Sequence, residues 1–299
     1  MEVYVIGNVT MDETIAVADL PEIGASIHGS HRWVDLGGKG ANQAIVLARC
    51  GVTTTLVAPI GDDARAEFIR RELVLEPVSA RLITIAGRAS DLSIVLTRPD
   101  GENAIITTAD SAQNLSAEDA VAALGRAREG DLVVLQGNLS EATTRGLLEA
   151  ARGRGMRTAL NPSPLQPYFA GLWHLVDIAV LNQGELAALT GAAGEDATRQ
   201  LRQRGVQEVI VTLGSSGAML ASSEQTLTVP AVPCPVVDTT GAGDTFMAVA
   251  LASACLRRTR LDRTAIEHAA RAAALTVGRV GTRSAFPTAQ ELSAILGNA

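Results

Sequence analysis

Apolar and polar positions along the chain fall into two patterns. Six short apolar runs, at 3–7 (VYVIG), 54–61 (TTLVAPIG), 131–137 (DLVVLQG), 157–162 (RTALNP), 177–182 (DIAVLN) and 208–214 (EVIVTLG), have the character of strands buried on both faces. Between them lie stretches with helical spacing at 40–50, 65–75, 117–128, 141–152 and 196–204. Strand and helix alternating through short connections predict an α/β fold, with a central, mostly parallel sheet flanked by helices.

Two segments break that rhythm. Residues 13–36 and 81–109 alternate apolar and polar side chains, as half-exposed strands do. Within the second, Asp100-Gly101 separates two such runs and reads as a hairpin turn. These segments are expected to form a small separate sheet over one edge of the main body. Without a linker, a repeat or a low-complexity tract, the 299 residues read as a single domain.

Composition narrows the partners. The net charge is −7 with the signs interspersed, which disfavours a phosphate-tracking face for nucleic acid. The three cysteines (Cys50, Cys234, Cys255) have no metal-binding or CxxC spacing and suit a reducing compartment. The four histidines form no zinc motif. No apolar run approaches membrane-spanning length, and the first residues lack the pattern of a signal peptide. A soluble, cytoplasmic protein is expected, with no nucleic acid or membrane partner.

Candidate chemistry collects after the strands, where parallel sheets bind ligands. The string GGKGANQA (37–44) puts three glycines before an amphipathic helix, so a backbone can approach a ligand closely. A plain strand-to-helix turn also accounts for the glycine pair. In VDTTGAGDTF (237–246), a helix starting near Gly243 would point free N–H groups at an anion. Asp244 then either caps that helix or activates a hydroxyl beside the anion. Asn182 and Glu185 (LNQGE) lie three apart and could reach Mg²⁺ through water, or simply begin a surface helix. The loop TLGSSG (212–217) could approach a nucleotide. There is no GxxxxGK[ST] loop and no GxGxxG after the first strand, so a Walker-type NTPase and a nicotinamide dehydrogenase are disfavoured.

GGKGANQA and DTTGAGDTF together resemble the two signatures of the ribokinase-like (phosphofructokinase-B) carbohydrate kinases. The resemblance extends to NPSP, LNQGE, TLGSSG and VGRVGTRSAFP, essentially the whole chain. It implies ATP-dependent phosphoryl transfer to a primary sugar hydroxyl, with ribose first among the substrates. Asp244 would be the catalytic base, and the amides of Gly241, Ala242 and Gly243 would stabilise the transferring group.

The same resemblance assigns sugar contacts to Thr10, Asp12, Gly38, Lys39, Gly40, Asn42 and Asn138. It assigns nucleotide and Mg²⁺ contacts to Asn182, Glu185, Thr212, Gly214, Ser215, Gly217 and Gly243. A monovalent activator, K⁺, would be held around Asp238, Thr240, Thr276, Arg279, Gly281 and Ala285, mostly through backbone carbonyls. The alternating segments would form the family's β-sheet lid and a homodimer interface. Two positions depart from the family pattern: Thr10 stands where an asparagine is usual, and Asn138 where a glutamate aligns. Both departures bear on which sugar fits. Another sugar, a sugar acid or a nucleoside is therefore the alternative substrate, and a non-catalytic sugar- or nucleotide-binding regulator the alternative function.

Overall fold

The computed structural model describes residues 1–98 and 103–297, so the expected turn at Asp100-Gly101 lies outside the described residues. The strands are β1 (Val3–Ile6), β2 (Thr10–Ala16), β3 (His31–Gly37), β4 (Thr54–Ile60), β5 (Ser79–Thr84), β6 (Leu92–Thr97) and β7 (Asn103–Thr107). They continue with β8 (Leu132–Leu135), β9 (Arg157–Leu160), β10 (Ile178–Asn182), β11 (Glu208–Thr212), β12 (Ala218–Ala221) and β13 (Thr226–Val229). The first helices are α1 (Lys39–Arg49), α2 (Ala64–Leu73), α3 (Asp110–Asn114), α4 (Ala117–Ala123) and α5 (Glu141–Gly153). After them come α6 (Gln183–Thr190), α7 (Gly194–Gln203), α8 (Ala242–Arg257), α9 (Arg263–Val277) and α10 (Ala289–Leu296).

Nine strands form the large sheet in the order β13-β12-β11-β10-β9-β8-β1-β4-β5. From β11 to β5 the pairing is parallel, and β12 and β13 add an antiparallel edge. The apolar runs are continuous because both faces are covered. On β1, Val3 and Val5 face a core built from α1, α2, α8, α9 and α10. Tyr4 and Ile6 face a second core built from α3 to α7. Strand order reverses at β1, with β4 on one side and β8 on the other, and this is where an open α/β sheet leaves a crevice.

A four-stranded sheet, ordered β3-β2-β6-β7, stands apart from the large one. It matches the expected small sheet with one correction at the boundary. Residues 81–84 belong to β5, which pairs with β4 at the edge of the large sheet. As the edge strand, β5 is exposed or half-buried along its length, with Leu82 and Ile83 packed on opposite cores, so it carries polar residues as a separate sheet would. At the other edge β13 stops at Val229, where Pro230, Pro233 and Pro235 remove three ladder donors. No helix among the described residues is long and apolar enough to cross a membrane.

Candidate active site

Two cavities, each of about 620 Å³, meet at the N-terminus of α8. Gly243 and Thr239 line both of them. The helix is capped by Gly241 at φ 74°, and no side chain closes its end. A Cβ at Gly241 would run into the Phe286 ring, so the left-handed φ and the close ring both require glycine here. The open end thus presents backbone N–H groups and the positive pole of the helix dipole to the junction of the cavities.

Asp244 sits in the first turn of α8, and its carboxylate caps nothing. It is buried, with Asn42 Nδ2 donating to Oδ2 at 3.0 Å and Gln43 Nε2 donating to Oδ1 at 2.9 Å. Lys39 Nζ lies 3.7 Å from Oδ1. All three donors come from the start of α1, which Gly38 at φ 92° leads into without a side-chain cap. The two glycine-rich turns, far apart in sequence, therefore face each other across the first cavity.

The first cavity is the more polar of the two. Asp12, Gly38, Lys39, Asn42, Asn138, Thr240 and Asp244 line it together with Ser93, Thr107 and Thr282. Thr10 lies behind it, fully buried, donating from Oγ1 to Asp12 Oδ1 at 2.5 Å. Thr282 Oγ1 donates to the other oxygen of Asp12 at 3.1 Å. Burial pushes the Asp12 carboxyl above its ordinary value of 3.8, and the hydroxyls of Thr10, Ser93 and Thr282 offset this only in part. Asn42 Oδ1 and Asn138 Oδ1 are buried without a protein partner, two acceptors left for the hydroxyls of a ligand. Gly40 does not line the cavity. It packs α1 against Gly7 and Asn8, and its N–H donates to Asn8 Oδ1 at 3.4 Å.

The second cavity has one apolar wall, formed by Val232, Val236, Phe246, Ala273 and Val277. Asn182, Thr212, Gly214, Ser215 and Gly217 form its polar lip, and Ala242 reaches its floor. Glu185 does not line it. Asn182 N–H donates to Glu185 Oε2 at 2.9 Å and Glu185 N–H donates to Asn182 Oδ1 at 2.8 Å, a capping box at the start of α6.

The six residues expected around a monovalent cation form one neighbourhood with unequal roles. Asp238 Oδ1 accepts from Thr240 N–H at 2.9 Å and Oδ2 from Gly281 N–H at 3.2 Å, joining the loop before α8 to the loop after α9. Thr276 is fully buried, its hydroxyl 3.0 Å from that of Thr245. Arg279 forks onto Glu291 at 2.5 and 3.2 Å, and Ala285 is packed in a short 3-10 turn. Side chains of Thr276, Arg279 and Ala285 are thus structural, and only their backbone is left for a ligand.

Several site residues were given no role from sequence: Gln43 and Thr282, although they stand inside GGKGANQA and VGRVGTRSAFP, Ser93, and the apolar wall of the second cavity. Gln43 was within reach of a sequence reading, since it follows Asn42 in the first turn of α1. Thr282 was not, because only the fold brings it to Asp12, 270 positions away.

The arrangement sets two cavities side by side at one open helix end, with a buried carboxylate in the first turn of that helix. Residues 2–289 match the pfkB family carbohydrate kinase profile, and the chain belongs to that family of sugar kinases. It is 30% identical to ribokinase of Mus musculus over 97% of this chain and 93% of that one. Deoxyribokinase of Salmonella typhi is 27% identical over 99% of each chain. Among solved structures, ribokinase of Thermotoga maritima superposes with a TM-score of 0.88 at 25% identity, covering 99% of both chains. Ribokinase of Arabidopsis thaliana complexed with ribose and ATP superposes at 0.84 and 26% identity, covering 98% of both.

Proposed function

We propose that this carbohydrate kinase transfers the γ-phosphoryl of ATP to a primary hydroxyl of a pentose, with ribose the first candidate. The observation that carries the proposal is the placement of Asp244 in the first cavity, one residue from Gly243, which lines both cavities. The sugar occupies the polar cavity, where Asp12 accepts from ring hydroxyls and Asn42 and Asn138 offer unpartnered oxygens. The nucleotide occupies the other, its base against Val232, Val236 and Val277 and its phosphates directed at the open end of α8.

Asp244 takes the proton of the sugar hydroxyl. That oxygen then forms a bond to the γ-phosphorus as the bond from the γ-phosphorus to the β-phosphate oxygen breaks, and ADP leaves. The N–H groups at Gly241 and Gly243, that of Ala242 once it leaves its 3.3 Å bond to Thr239 O, and the Lys39 cation stabilise charge on the transferring group. Mg²⁺ typically binds through one or two carboxylates plus substrate phosphates. Among the described residues no cluster of three or more His, Cys, Asp or Glu could hold a metal on its own, which fits an ion carried in with the nucleotide near Asn182 and Glu185. When bound, it would neutralise phosphate charge.

K⁺ would be held by Asp238 and the carbonyls of Thr240, Thr276, Arg279, Gly281 and Ala285, and would stiffen the loop leading into α8. Asp238 is buried and has no ion-pair partner among the described residues, which suits a cation there. The smaller sheet serves as a lid that excludes water. Val34 and Ile106, exposed and in one cross-strand row on the face away from the first cavity, support a homodimer through that face. The whole chain acts as one domain, in the cytoplasm.

The test is coupled ADP release over ribose, 2-deoxyribose, hexoses, sugar acids and nucleosides, with and without K⁺. A pentose is expected to give the highest kcat/KM, raised by K⁺. Release above background by no member of the panel would favour a binding regulator instead.

A further inference from the structure

Gln43 and Gln136 are both fully buried beside Asp244, and only the first touches it. An ionised carboxylate only accepts, so Gln43 can bond it only through its NH₂, and the buried Gln43 Oε1 then needs a donor of its own. Gln43 Nε2 donates to Asp244 Oδ1 at 2.9 Å and approaches Asn161 Oδ1 at 3.4 Å. On its other side, Gln43 Oε1 accepts from Gln136 Nε2 at 2.8 Å. Turned over, the amide would aim its oxygen at those two oxygens and its NH₂ at the NH₂ of Gln136. Asn161 is itself fixed, because its Nδ2 donates to Val180 O at 2.9 Å.

Gln136 follows β8 directly, and its Oε1 occupies the space that a Cβ at Gly7 would need. The glycine ending the first apolar run therefore makes room for the glutamine one residue before the end of the third. We propose that Gln136 is a positioning residue for phosphoryl transfer, fixing the Gln43 amide so that its NH₂ stays on Asp244 Oδ1. The inference rests on Asp244 acting as the base. With Gln43 held, Oδ1 is tethered and the carboxylate keeps one orientation toward the sugar hydroxyl. Without the Gln136 donor, Gln43 Oε1 is left buried and unpartnered, so the side chain is drawn off Asp244 toward another donor and Oδ1 loses its tether. Sugar contacts at Asp12 and Asn138 do not involve this relay, so the loss falls on turnover rather than on binding.

The test is a double-mutant cycle of Gln136→Met and Gln43→Met, read as kcat and KM from ADP release with the best sugar. Gln136→Met should lower kcat roughly tenfold while both KM values stay within about twofold, the signature of an interaction lost in the transition state. The double variant should be no slower than Gln43→Met alone, because Gln136 acts through Gln43. An unchanged kcat in Gln136→Met, or losses that simply multiply, overturns the inference. If Gln136→Met does not melt cooperatively, Gln136→Leu replaces it with the same expectations. Asp244→Asn separates the two levels. Should it be inactive while Gln136→Met is fully active, only the relay is wrong; should it turn over normally, the base assignment fails first.

Discussion

The side-chain amide of Asn42 donates to Asp244 Oδ2 at 3.0 Å, joining the first turns of α1 and α8 across 202 residues of chain. The bond ties the acceptor cavity to the open helix end on which the donor's phosphates would rest. Its other atom, Oδ1, is buried and unpartnered, so the residue can hold the carboxylate and a substrate hydroxyl at once. Asn42→Ala removes both functions and is expected to lower kcat/KM by about 10²-fold, the scale for losing one oriented polar contact in a dry site. Steady-state ADP release checks this, and a change under about twofold would deny Asn42 the role.

Asp12 carries a cost to stability that follows from its burial. Its carboxyl is raised above 3.8 in the folded protein, so the native state binds the proton more tightly than the unfolded chain. The penalty is therefore absent below 3.8, grows as pH rises toward the folded value, and is complete above it. Asp12→Asn should be at least as stable as the parent at neutral pH and lose that advantage in acid, while losing sugar turnover. Thermal melts from acid to neutral pH check the sign.

Glu291 gives the opposite sign. Arg279 holds its carboxyl down to about 2 from 4.5, so its contribution is full above 4.5 and disappears as pH falls toward 2. Glu291→Gln should melt lower than the parent at neutral pH, and the two curves should converge in strong acid.

Arg283 is shared by three carboxylates: Asp35 at 3.3 Å, Glu72 at 2.8 Å and Glu76 at 3.3 Å. It thereby fastens β3 and the end of α2 to the loop whose Thr282 touches Asp12. Arg283→Ala leaves those groups facing one another in a largely buried place, and a loss of about 3 kcal/mol is expected from urea unfolding. Arg283→Lys should recover only part of it, since a single ammonium cannot reproduce the fork.

Gly241 and Gly243 should respond differently to the same substitution. Gly241→Ala places a Cβ against the Phe286 ring at a left-handed φ, so its melting temperature should fall. At Gly243 a Cβ meets nothing within 4 Å, and Gly243→Ala should keep or gain stability, by about 0.5 kcal/mol. Its methyl would nevertheless stand where the two cavities meet, so kcat should drop. Equal effects on melting would contradict this division.

Much of this was legible in the residues. Continuous apolar runs announced buried parallel strands, because both faces are covered. GGKGAN and GAGD announced their turns, because a helix end with no side-chain cap must be approached by backbone alone. What was not legible depends on chain segments meeting only after folding. Thr282 on Asp12, Gln136 behind Gln43, and Arg283 among Asp35, Glu72 and Glu76 are pairings that no local pattern announces. Residues 81–84 misled because a strand at the edge of a large sheet is only partly covered and carries polar residues as a separate sheet would. The capping reading of Asp244 failed for a related reason: its partners lie in α1, outside any local window.

The central claim is that Asp244 takes the proton of the sugar hydroxyl, and Asp244→Asn tests it most directly. The substitution keeps the size and the buried position but removes the base. Single-turnover phosphorylation of the best sugar is predicted to slow by about 10³-fold, with ATP binding by calorimetry within a few fold of the parent. Phosphorylation at close to the parent rate, with nucleotide bound as before, would contradict the account.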